Sequence, residues 1–255
     1  PYGKEPPVFC IHGTDGKVQR YFNLAEKFAL DRPVYGLQSP LLFKQSVLLP
    51  KLDQFVHQYI EVIRKVRPEG PLTLIGFGAG GVIAFEIARQ LARHNADVTN
   101  LVLIDACNPM VFDQPHRFDE ARLLASFVHE LIGEAGGVSE INPDKIRAMT
   151  SQQERLTYAY ELVKQVTGLV LRYDSFSVAY PNFKQISQLT LKYWPKPLAG
   201  KISLVRSYNP AFESVSDQYL GWNSYANDGV DLVELDADHF QLLSESVNNR
   251  IFELV

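Results

Sequence analysis

The stretch from Leu72 to Leu91, LTLIGFGAGGVIAFEIARQL, constrains this chain more than any other. An apolar run from Leu72 to Ile75 meets a glycine cluster, and the helical spacing of Val82, Phe85, Ile87 and Leu91 begins at once. This predicts strand, sharp turn, helix. Two chemistries use such a turn. Gly76, Gly78 and Gly81 satisfy the G-x-G-x-x-G phosphate loop of a dinucleotide fold, with Asp105 closing the next predicted strand where a ribose-binding acid sits. Gly76 and Gly80 also flank the apex of a nucleophile elbow, but the apex is Gly78, which has no side chain. The window alone leaves both readings open.

The flanking chain alternates short apolar strands with amphipathic helices. Strands are expected at Pro7 to His12, Pro33 to Gln38 and Leu101 to Ala106, and helices around Val18 to Leu30 and through Leu52, Phe55, Val56, Tyr59, Ile60 and Ile63. Strands alternating with helices imply a mostly parallel sheet covered on both faces. Between Ala106 and Lys201 the alternation stops. Helical stripes replace it, around Leu123 to Ile132, Leu156 to Val163 and Phe183 to Tyr193, with joints at Gly133 to Gly137 and Asn142-Pro143. The rhythm returns with a strand at Lys201 to Ser207, a short helix near Asp217 to Trp222, a strand at Val230 to Leu235, and a last helix from His239 to about Leu254. The organisation read from this is a core of residues 1–106 and 196–255 with a helical insertion at 107–195.

With 46% hydrophobic and 21% charged residues, the chain can bury a large core, and a net charge of −4 gives no electrostatic footprint for nucleic acid. Apolar segments fall well short of the roughly 18 residues a membrane span needs. Two cysteines, Cys10 and Cys107, are too few for a disulfide framework, so a reducing cytoplasm is the expected compartment. The opening PYGKEPPVF reads as the end of a linker, so the chain is expected to be a domain of a longer polypeptide. His57, His94, His116 and His129 show no metal-ligand spacing, and no metal is expected.

Acyl transfer at a serine-type site needs a nucleophile, a histidine base, an orienting carboxylate and donors for the oxyanion. Position 78, Asp105 and His239 occur in the chain order of such sites, each just past an expected strand. His12-Gly13 ends another strand and places the Thr14 N–H beside the Ala79 N–H as an oxyanion hole. The phosphate-loop reading gives the His-Gly loop and His239 no role. It would also put the fingerprint on the first strand, not after two strand-helix units.

The segments VFCIHGTDG, RPVYGLQSP, PEGPLTLIGFGAGGVIAFEIARQL, LVLIDACNP and DADHFQLL resemble the thioesterase domains that release acyl, polyketide or peptidyl chains from multidomain synthases. The resemblance implies an α/β-hydrolase fold, a catalytic Asp105 and His239, a lid at the helical insertion, and a carrier-protein partner presenting the substrate as a 4′-phosphopantetheine thioester, with no cofactor of its own. The lid aromatics, Phe127, Tyr160 and Phe183 among them, suit an apolar acyl channel, although they also need a core of their own. The departure is Gly78, where the family has serine or occasionally cysteine. It reads as an inactivating, engineered substitution, because the rest of the machinery is intact. Cys107 lies two residues beyond the acid, but buried packing is its expected role. The alternatives are a free-standing editing thioesterase or esterase, a dinucleotide-binding oxidoreductase, and a non-catalytic carrier-binding module.

Overall fold

In a computed structural model, which describes residues 3–43, 51–112, 118–138, 141–208, 215, 217–244 and 248–255, the chain forms a central sheet covered by helices on both faces. Six strands, β1 (Val8–Ile11), β2 (Val34–Leu37), β3 (Leu72–Phe77), β4 (Val98–Ile104), β5 (Ile202–Ser207) and β6 (Val230–Leu235), form one sheet in the order β2-β1-β3-β4-β5-β6. Every pairing among the described strands is parallel. β1 and β3 are buried along their whole length, as strands covered on both faces must be, which is why they read as continuous apolar runs.

Helices α1 (Phe22–Phe28) and α9 (Asn248–Phe252) cover one face, where Leu24, Phe28 and Ile251 join Val8, Ile75 and Val102. Helices α2 (Leu52–Phe55), α3 (His57–Val66) and α4 (Ala79–Arg93) cover the other, where Phe55, Ile63, Phe85 and Leu91 pack on Phe9, Leu74 and Leu103. The chain therefore leaves β1 toward one face and β3 toward the other. Such a switch point between adjacent parallel strands opens a crevice at their carboxyl ends, the usual ligand position in this class of sheet.

Four helices, α5 (Glu120–Glu134), α6 (Pro143–Arg147), α7 (Gln152–Thr167) and α8 (Tyr173–Leu191), follow β4 and share a separate cluster of Leu124, Phe127, Val128, Ile146, Val163 and Phe176. Their ends obey local rules: Asp119, Asn142 and Ser151 cap the amino ends of α5, α6 and α7, and Gly168, at φ 65°, closes α7 in the left-handed region. α8 belongs to two cores. Phe176, Tyr180 and Phe183 lie in the helical cluster, with Pro181 among them, whereas Ile186 and Leu189 join the main core. Just past α8, Tyr193 donates to the buried Glu86 carboxylate, which also accepts from Arg89 Nε and Gln90 Nε2, each at 2.7 Å.

Four expected helices are corrected. The segment around Val18 to Leu30 is a 3₁₀ turn at Gln19–Tyr21 followed by α1. The repeat from Leu52 to Ile63 is two helices meeting at Val56. Residues 217–222 form a turn, not a helix: the Asp217 carboxylate accepts from the Tyr219 and Gly221 amides, and Leu220 and Gly221 adopt φ 50° and 83°. The last helix starts at Asn248 and not near His239, and residues 239–244 are turns.

Candidate active site

The strand register brings the functional positions to one level. Phe77 pairs with Ile104 and Ile104 with Val205. Beyond those pairs, the Gly78 amide donates to Ile104 O and the Asp105 amide to Val205 O, both at 2.8 Å. Gly78 and Asp105 then leave the sheet with positive φ, 53° and 45°. Strained backbone of this kind collects at functional sites.

The glycines of the turn are not equivalent. A Cβ on Gly76 would lie 2.3 Å from Gly80 O, one on Gly80 2.3 Å from His12 O, and one on Gly81 2.3 Å from the Ala106 Cβ. Those three glycines let α4 sit against β1, β3 and the β4 end. A Cβ on Gly78 meets nothing within 4 Å. Helix–strand packing thus accounts for Gly76 and Gly81 of the G-x-G-x-x-G spelling, and the dinucleotide reading is set aside: the glycine turn follows the third strand of a 2-1-3-4-5-6 sheet.

Asp105 is buried and held on three sides. Its Oδ1 accepts from the Ser207 amide at 2.7 Å, and its Oδ2 accepts from the Ser207 hydroxyl and lies 2.8 Å from His239 Nδ1. A carboxylate can only accept, so Nδ1 carries the proton and Nε2 is left with its lone pair. The Phe77 ring, one residue before position 78, lies 4.4 Å from the His239 ring, and the Phe240 ring, packed against Gly133, lies edge-on to that imidazole at 5.2 Å.

His12 is fully buried, and loss of hydration pulls it down from an ordinary 6.5 to about 4. Its neutral ring is fixed by Nδ1–H donation to Gly13 O at 2.7 Å, while Nε2 accepts from the Tyr59 hydroxyl at 2.7 Å. The ring thereby sets the loop that carries Thr14. Ala79 opens α4, where the amides have no intrahelical acceptor and the helix dipole is positive.

Thr14, Gly78, Ala79, Asp105, Cys107, Phe183 and His239 line one cavity of about 650 Å³. Arg122, Ser126 and His129 of α5 and Ser187 of α8 add polar groups to its wall. Phe127 and Tyr160 are not in that wall. Phe127 stacks on Phe176, Tyr180 and Phe183 inside the helical cluster, and Tyr160 donates to Leu171 O and packs on Tyr173 and Phe176. Burial pushes the Cys107 thiol well above its ordinary range and Cys10 up to about 12, so neither supplies a thiolate. Among the described residues no group of three or more His, Cys, Asp or Glu is placed to hold a metal, and no helix is long and apolar enough to cross a membrane. His116 lies outside the described residues.

Two contributors have no sequence signal near the motifs. Ser207, at the end of β5, orients Asp105. Arg20 ties α5 to the sheet: its guanidinium reaches Glu130 Oε1 at 2.8 Å and Glu134 Oε1 at 2.7 Å while covering the Phe77 ring at 4.4 Å.

A family model described as Thioesterase domain matches residues 6–255. A dimodular nonribosomal peptide synthase of Bacillus subtilis (strain 168) is 26% identical over 245 residues, 94% of this chain and 10% of that protein. The chain therefore spans about a tenth of that relative's length. The crystal structure of the four-domain nonribosomal peptide synthetase holo-AB3403, bound to AMP and glycine, superposes with a TM-score of 0.81 at 24% identity, covering 98% of this chain and 19% of that one. The NocB thioesterase domain, in covalent complex with a fluorophosphonate nocardicin G analog, superposes with a TM-score of 0.71 at 19% identity, covering 99% and 95%. These two likenesses establish the fold.

Proposed function

The chain belongs to the thioesterase domain family, and on that footing we propose that it is the chain-releasing domain of a larger synthase, stopped by glycine at its nucleophile position. The observation that carries this reading is the contrast among the turn glycines. Backbone contacts require Gly76 and Gly80, whereas position 78 points into open space on the wall that His239 and Asp105 share. A side chain belongs there.

In the serine form the cycle runs as follows. His239, held in one tautomer by Asp105, takes the proton from the residue-78 hydroxyl, and that oxygen attacks a thioester carried on the phosphopantetheine arm of a carrier protein. The Thr14 and Ala79 amides stabilise the oxyanion, and the thiol leaves with the proton from His239. Water, or a hydroxyl or amine of the chain itself, then releases the product by hydrolysis or cyclisation. The arm enters with the partner, so the domain holds no cofactor of its own. The helices α5 to α8 form the lid over this path, and Phe183 contributes an apolar surface to it.

The test is Gly78→Ser assayed with an acyl thioester. Turnover is expected to rise by on the order of 10³-fold or more, the scale on which single triad members matter. A serine variant that folds and gives no more thiol than the glycine form overturns the reading and leaves a carrier-binding module without catalysis.

A further inference from the structure

We propose that the Gly78 form is itself an acyl-transfer catalyst of a different kind, passing the acyl group in one step to water or a small neutral nitrogen nucleophile seated where a serine hydroxymethyl group would stand. This rests on the site assignment above and goes beyond it, because no acyl-enzyme is formed.

Three features of the corner support it. First, there is room: a Cβ at Gly78 meets no atom within 4 Å, and the position opens on a cavity of about 650 Å³. Second, the room cannot grow, because the neighbouring glycines are wedged against the backbone of residues 80 and 12 and against Ala106. The corner therefore has room for a nucleophile as small as the group it lacks, such as water, ammonia or hydroxylamine. Third, the base is intact. The 2.8 Å contact of Asp105 Oδ2 with His239 Nδ1 leaves Nε2 as the acceptor, and Phe77 at 4.4 Å keeps the ring from turning away.

The step balances without any further reagent. The nucleophile's nitrogen or oxygen forms a bond to the thioester carbon as His239 Nε2 takes one of its protons. The carbonyl electron pair moves onto oxygen, facing the Thr14 and Ala79 amides. Collapse re-forms the carbonyl and breaks the C–S bond, and the sulfur leaves with the proton from the imidazolium. The products are an acyl amide, hydroxamate or acid, and a free thiol. Cys107, a cysteine on the cavity wall, does not compete, since burial and the neighbouring Asp105 keep its thiol protonated.

The experiment uses the chain as it stands, with the N-acetylcysteamine thioester of a medium-chain fatty acid and hydroxylamine, following free thiol and hydroxamate. The expected result is hydroxamate formation about 10³-fold above buffer, linear in hydroxylamine and saturating in thioester, with no acylated protein by mass spectrometry. His239→Gln should lower it about 10²-fold. Gly78→Ala, which fills the corner with a methyl group, should also lower it while leaving the thioester KM unchanged. Gly78→Ser should instead accumulate acylated protein and lose the strict linearity in hydroxylamine. Rates equal to buffer in the glycine chain, with Gly78→Ser active, overturn this inference and leave the chain-release reading standing. If Gly78→Ser is inactive too, both fall. A rate unaffected by His239→Gln or Gly78→Ala, each checked for folding by circular dichroism, also refutes it.

Discussion

Placing serine at position 78 should make the protein a better catalyst and a less stable one. Gly78 sits at φ 53° and ψ −121°, a conformation that side-chain-bearing residues resist, at a cost of about 1–3 kcal/mol. Nothing adds to that cost, because the new Cβ has no neighbour within 4 Å. A chain of 255 residues unfolds with an entropy of about 0.5 kcal/mol per kelvin, so Gly78→Ser should lower Tm by about 2–6 °C. Gly80→Ala is the control. In α4 an alanine should add about 1 kcal/mol of helix propensity, but its Cβ would stand 2.3 Å from His12 O and 2.7 Å from Ile11 O. Backbone carbonyls cannot rotate aside, so the end of β1 must shift, and overpacking of this kind costs about 1–3 kcal/mol or more. Scanning calorimetry on the parent and both variants, with turnover measured on the same samples, reads both effects. The reasoning is refuted if Gly78→Ser raises Tm, or if Gly80→Ala is tolerated with no loss of Tm.

Three further outcomes are expected. Ser207→Ala in the Gly78→Ser background removes a hydroxyl donor from Asp105 while sparing the amide at 2.7 Å; hydrogen bonds to charged groups contribute about 1.5–3 kcal/mol, so kcat should fall roughly 10- to 100-fold in steady-state assays. His12 binds its proton near 4 when folded and near 6.5 when unfolded, so its contribution to stability is whole above 6.5 and lost as pH falls toward 4. That loss is about 3 kcal/mol, and urea titrations across this range should show a flatter acid limb in His12→Gln. Glu134 is raised to about 6 by loss of hydration and by Glu130 and Asp15, against the pull of Arg20 and Lys17. The contribution of Glu134 to stability is therefore whole below the ordinary 4.5 and lost as pH rises through 6, where the ionised carboxylate depends on its pairing with Arg20. Arg20→Met should speed hydrogen exchange in α5, and more so above pH 6.

The centre of the sheet was legible because three strands are apolar runs ending at a position with chemistry: His12 after β1, position 78 after β3, Asp105 after β4. Strand ends are where a parallel sheet exposes side chains, so order along the chain foretold neighbourhood in space. Helix boundaries were less legible. Phe55, Tyr59 and Ile63 share one buried face, so the repeat passes through Val56 without marking the break between α2 and α3. At 217–222, Leu220 and Trp222 are buried by a turn whose signal is the Asp217 carboxylate, not by helical periodicity. Aromatic content could not separate cavity from core: Phe183 faces the cavity, while Phe127 and Tyr160 knit the helices together. Arg20 was invisible because its partners lie 110 and 114 residues away.

α8 works as a gatepost. One end stands in the same ground as the sheet and the other carries the roof, so the roof cannot lift away as a loose flap. The give in the post is at Pro181, which offers no amide hydrogen to the preceding turn. Opposite it, α5 is latched by Arg20 alongside the His239 ring. Loosening Arg20 would therefore release α5 and the Phe77 ring that backs His239 together, through one guanidinium.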